Sequence, residues 1–106
     1  MKKKVKITGM DTIQVTVEFS GLSRILAKAN EMQISLSPKQ TYVDVIRTVA
    51  EKYPSLVGDV IDPSKSVLFP SNVFSRDGKT VVLPEQMNDS PCDGEVLILL
   101  SLLAGG

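Results

Sequence analysis

The stretch TYVDVIRTVAEKYP, residues 41–54, sets the tightest limit on what this chain can fold into. Tyr42, Val45, Ile46, Val49, Ala50 and Tyr53 recur at i, i+3, i+4, i+7, i+8 and i+11, which is one apolar stripe along an α-helix. Thr41 stands at the amino-terminal cap with Asp44 three residues later in a capping-box position, and Pro54 opposes continuation. A helix with one apolar stripe needs one apolar surface to lie on, and the remaining pattern supplies strands. In TIQVTVEF, Ile13, Val15, Val17 and Phe19 alternate with polar residues, and MQISL alternates again through Met32, Ile34 and Leu36. Between them GLSRILAKANE has the composition of a helical turn, so the two strands read as a wide hairpin.

After the helix, SLVGDVIDPSKS has no sustained period and reads as a loop with a short helical turn. VLFPSNVFS and TVVLP flank Arg76, Asp77, Gly78 and Lys79, where Asp-Gly suits a tight turn between two strands. Pro70 implies an edge or bulge in the first of these strands. EQMNDSPCDG is loop and turn, and a closing strand runs apolar from Val96 to Leu100. Such a strand is covered on both faces, or keeps one face for a partner. The expected fold class is α+β: a mixed sheet of about five strands with one main helix packed across it.

Residue types that are missing limit the chemistry. The chain has no His and one Cys, so neither a Ser/His/Asp triad nor a Cys/His pair can form within it. The commonest zinc ligand is absent, and no glycine-rich phosphate loop of either common type occurs. No catalytic residue and no metal site is expected. Asp59 and Asp62 read as solvated loop carboxylates, and Cys92 in SPCDG as a small buried hydrophobe.

Twelve basic residues balance twelve acidic ones, which gives no field for nucleic acid or an anionic membrane. Lys2, Lys3, Lys4 and Lys6 precede no apolar h-region, so they read as a solvated terminus rather than a secretion signal. The nine residues from Val96 to Ala104 fall far short of the roughly 20 needed to span a bilayer. A single cysteine fits a reducing compartment, and a cytoplasmic location is expected.

The closing run EVLILLSLLAGG places two glycines beyond the most strand-like stretch. This ending, VEFSGLSRILAKANE at the first turn, TYVDVIRTVAEKYPSLVGDVI on and after the helix, NVFSRDGKTV at the second hairpin and DGEV before the last strand together resemble the ubiquitin-like β-grasp sulfur carriers. The similarity is greatest to the small subunit of molybdopterin synthase (MoaD and ThiS type) and to the ubiquitin-related and archaeal small modifiers. It covers residues 12–106, with residues 1–11 as an amino-terminal extension in which Val5 and Ile7 alternate as a strand would. SPCDGEV is a tighter approach to the last strand than the family usually has.

The resemblance implies a carrier that is not itself an enzyme. Its terminal Gly106 would be adenylated by a ubiquitin-activator-like enzyme using ATP, with no cofactor bound to the carrier. It would then become a thiocarboxylate that donates sulfur, or be joined to target-protein lysines; a molybdopterin synthase large subunit is a further expected partner. Gly105 and Gly106 would pass a narrow channel because they lack Cβ. Leu102, Leu103 and Ala104 would dock as a neutral tail in an apolar groove of the partner. The family register turns Leu97 and Leu99 toward the helix and Ile98 and Leu100 outward as a partner surface. A ubiquitin-like protein modifier and a plain β-grasp interaction module stand as alternatives.

Overall fold

A computed structural model describes residues 12–101 of the chain. Its elements run β1 (Ile13–Phe19), α1 (Leu22–Ala27), β2 (Glu31–Leu36), α2 (Tyr42–Lys52), β3 (Asn72–Arg76), β4 (Thr80–Val81) and β5 (Glu95–Ser101). Short 3-10 turns lie at Pro54–Leu56 and Pro84–Gln86. The five strands form one mixed sheet in the order β2-β1-β5-β3-β4. β5 is central, parallel to β1 and antiparallel to β3. With α2 across one face, this is the β-grasp architecture.

The alternation in β1 does what period two requires: Val15, Val17 and Phe19 are buried, while Gln14, Thr16 and Glu18 occupy the opposite face. Val15 pairs with Ile34 and Val17 with Met32, so the apolar residues of β1 and β2 share the face under α2. From the helix, Tyr42, Val45, Ile46, Val49 and Ala50 close that layer, each at most 1% exposed. Burial of each larger side chain contributes about 1.5–3 kcal/mol before conformational entropy is counted. The Asp44 carboxylate accepts the Thr41 amide at 2.9 Å, fixing the helix start. Tyr53, the last residue of the stripe, stops the helix as its C-cap and sets its ring edge-on to Phe19 with centroids 5.1 Å apart.

Several expectations are corrected. The third strand begins at Asn72, so Pro70 lies ahead of it and creates no bulge. TVVLP gives only two strand residues, because Leu83–Pro84 opens a 3-10 turn. The Asp-Gly turn stands as read, with Asp77 and Gly78 both at positive φ, 51° and 70°. The aperiodic stretch after α2 is more than loop: Leu56, Val60 and Ile61 are fully buried. Backbone bridges from Ile61 to Val57 and Leu68 hold it, an order that neither strand nor helix period reveals. Cys92 is exposed, and its neighbour Pro91 is buried in its place.

Candidate functional site

The last strand and its exit from the sheet form the candidate site. Glu95, at the start of β5, accepts the Tyr42 hydroxyl at 2.5 Å and the Cys92 amide at 3.0 Å. Asp93 accepts the Gln14 amide at 2.8 Å. The helix start, the preceding turn and β1 therefore all grip the beginning of the strand. Burial, and then the Glu95 carboxylate, push the Tyr42 phenol above its ordinary value.

Along β5 the side chains divide by parity. Leu97 and Leu99 are fully buried beneath α2, against Val17 and Phe19 of β1 and Phe74 of β3. Ile98 and Leu100 lie half-buried on the other face. Ile98 sits between Glu18 and Ser75, and Leu100 beside Val73. Val81, 41% exposed, extends this apolar strip through its pairing with Ser75. The β1–β2 half of the same face is polar: Thr16 donates to Gln33 at 2.9 Å and Gln33 to Glu31 at 3.2 Å. The sheet thus presents an apolar half centred on Ile98 and Leu100 beside a hydrogen-bonded polar half.

A collar surrounds the far end of β5. Ser23, fully buried in α1, lies 2.8 Å from the Leu99 carbonyl and donates its single proton there, and the Ser20 amide reaches the same oxygen at 3.2 Å. Gly21, at φ 66°, lets the chain turn tightly between Ser20 and α1, and a Cβ there would come within 3.8 Å of the Ser101 Cβ. On the opposite side Asn72 pairs with Ser101. Asn72 Oδ1 and Ser101 Oγ are buried and have no hydrogen-bond partner among the described residues.

Of the residues singled out in the sequence, Ile98 and Leu100 share the outer face, two positions apart on one strand. Leu102, Leu103, Ala104, Gly105 and Gly106 lie outside the described residues, as does the extension at 1–11. Sequence reasoning passed over Ser23, Gly21 and Asn72. The signal for the first two was present in FSGLS, where a glycine and a serine three residues after Ser20 mark a turn that caps its own backbone. Nothing local marks Asn72, whose burial comes from pairing with a strand far along the chain. Among the described residues no group of His, Cys, Asp and Glu is arranged to hold a metal ion, and no helix is long and apolar enough to cross a membrane.

No protein-family profile and no curated protein matches the sequence. Solved structures do match the fold. The crystal structure of SAMP1 from Haloferax volcanii superposes with a TM-score of 0.73 at 15% identity, covering 88% of this chain and 99% of that one. SAMP1, the small archaeal modifier protein 1 of Methanosarcina acetivorans, gives 0.71 at 20% identity over 90% and 98% of the two chains. A Pyrococcus furiosus protein described as molybdopterin converting factor subunit 1 gives 0.66 at 17% identity over 86% and 99%. The chain thus shares the ubiquitin-like β-grasp fold of small modifier and converting-factor proteins.

Proposed function

We propose that this chain is a ubiquitin-like carrier whose Gly106 carboxylate is adenylated by an activating enzyme and then thiocarboxylated to donate sulfur. One observation carries the reading. The strand that leads into the Gly-Gly ending, β5, is central in the sheet, gripped at its start by the Tyr42 hydroxyl and collared at its end by Ser20 and Ser23.

In the proposed chemistry the Gly106 carboxylate oxygen attacks the α-phosphorus of ATP and pyrophosphate leaves, giving an acyl adenylate. A hydrosulfide equivalent then attacks the acyl carbon and AMP departs, leaving a terminal thiocarboxylate. The energy comes from ATP in the activator, and the carrier supplies presentation. Gly105 and Gly106 allow close approach to the acyl carbon, Leu102, Leu103 and Ala104 lie in an apolar groove of the partner, and Ile98 and Leu100 dock on it. The setting we propose is molybdopterin-type biosynthesis, with a synthase large subunit as a further partner and the cytoplasm as location.

The modifier names of the structural neighbours favour a second reading, in which a target lysine amine attacks the adenylate, directly or through an enzyme thioester, and forms an amide. Intact mass after incubation with ATP and a cognate activator tests the first. An adenylate or a sulfur-for-oxygen exchange at Gly106, lost when Gly105 and Gly106 are deleted, is expected. Gly-Gly remnants on lysines of other proteins would mark the modifier. An unaltered mass, with function indifferent to the deletion, would leave a plain interaction module.

A further inference from the structure

Near its end the central strand loses one of its two neighbours. Phe19 and Leu99 form the last pair between β1 and β5, whereas β3 continues beside β5, pairing Val73 with Leu100 and Asn72 with Ser101. The chain leaves β1 at Gly21, whose φ of 66° and ψ of −131° turn it into α1. α1 then returns a side chain to the gap. The Ser23 hydroxyl donates to the Leu99 carbonyl at 2.8 Å, alongside the Ser20 amide at 3.2 Å. That amide also donates to Ser23 Oγ at 3.1 Å, which leaves the hydroxyl proton for a carbonyl, and the Leu99 oxygen is nearer than that of Ser20 at 3.0 Å.

Packing alone does not ask for this hydroxyl. Ser23 is fully buried, and the other buried residue of α1 is Ala27, so a small apolar side chain would fill the same space. A buried hydroxyl contributes only while it is paired. The partner of this one is a carbonyl at the point where β5 becomes one-sided, seven residues before Gly106.

We infer that Ser23 is a positioning residue for the terminal acyl group: by holding the Leu99 carbonyl it keeps Leu100 and Ser101 in strand geometry, so that the tail enters the activating enzyme from a fixed start. This role rests on the carrier reading. The Gly106 oxygen reacts only when it lies in line with the α-phosphorus, and each residue released from the strand adds to the ordering that threading requires. Ile98 lies upstream of the bond and docks the body with or without it. Loss of the bond therefore lowers the fraction of docked complexes whose tail is seated, while docking itself is unchanged.

Steady-state adenylation of the full-length protein by a cognate activator, followed as ATP–pyrophosphate exchange, provides the test. Ser23→Ala should lower kcat about tenfold, the factor that 1.4 kcal/mol gives, and leave KM within about twofold. The Leu99 carbonyl keeps the Ser20 amide in this variant, so the sheet is retained. Without activator, amide order parameters should fall at Leu100 and Ser101 but not at Leu97. Ser55→Ala is the control, since it removes a bond of the same kind, from hydroxyl to the Leu26 carbonyl at 2.7 Å, at the other end of α1. It should change unfolding free energy and neither kinetic constant.

An unchanged kcat in Ser23→Ala, a loss carried by KM, unaltered order parameters, or an equal loss of kcat in Ser55→Ala would each overturn the role of Ser23 and leave the carrier reading standing. A native chain that the activator does not adenylate would overturn both.

Discussion

The two faces of β5 differ in what surrounds them, although they belong to the same seven residues. Leu97 and Leu99 meet a closed layer built from three strands and a helix, whereas Ile98 and Leu100 meet a strip that stays half-open and is bordered by polar pairs. A buried face couples to the whole core, so a change there is read out as stability. A half-open face couples to little within the molecule, so a change there is read out in whatever docks on it. The comparison teaches that one apolar run can serve folding and recognition together, with parity as the only separator.

The sharpest way to break this contrast is truncation at each parity. Leu97→Ala or Leu99→Ala should cost about 2–5 kcal/mol by urea unfolding, because each leaves a cavity in a packed layer. Ile98→Ala or Leu100→Ala should cost about 1 kcal/mol or less, since only part of each side chain leaves water-free contact. Equal losses at both parities would refute the division. Under the carrier reading, Ile98→Asp should lower the rate of adenylation at limiting activator by roughly thirtyfold, the effect of losing a hot spot of about 2 kcal/mol. Its unfolding midpoint should move little, and normal adenylation would remove Ile98 from the docking surface.

The two ends of the strand extend the comparison, since one is gripped by side chains and the other by a backbone turn. Gly21→Ala should cost about 1–3 kcal/mol in thermal or urea unfolding. The added methyl meets only ordinary contact with Ser101, so the cost arises from φ 66° alone. Asn at the same position should recover little of it, because ψ of −131° lies outside the left-handed region that Asn tolerates.

Legibility followed the same division. Wherever one side of an element is buried and the other is not, the period of the sequence states it. The α2 stripe, the β1 alternation and the Thr41–Asp44 cap were therefore readable from residue order alone. Leu56, Val60 and Ile61 were not, because their burial is organised by bridges within an irregular segment and leaves no period. Asn72 escaped for a related reason, since it matters through β5, 29 positions away, whereas for Ser23 the local turn was legible in FSGLS and only its bond to Leu99, 76 positions away, was not. The hollow between α2 and β4 was hidden as well, since Val43, Leu68 and Val82 that line it come from three separated segments. The Gly-Gly ending was legible as a pattern only in combination with the order of elements before it.

The smallest effect tests the gripped end. Tyr42→Phe deletes the hydroxyl that Glu95 accepts but keeps the ring in the core, so a loss of about 1 kcal/mol near neutral pH is expected. The sign of the pH dependence follows from the raised phenol. Its neutral form is favoured in the folded state, so this contribution is complete below the ordinary tyrosine value near 10 and declines as pH rises beyond it. Unfolding free energy measured between about pH 9 and 11 should therefore fall more steeply for the native chain than for Tyr42→Phe. Parallel slopes would mean that the hydroxyl of Tyr42 is no better held in the fold than in the unfolded chain. The helix start would then be tied to β5 by its ring alone, and the grip on the beginning of the strand would rest on the Cys92 and Gln14 amides.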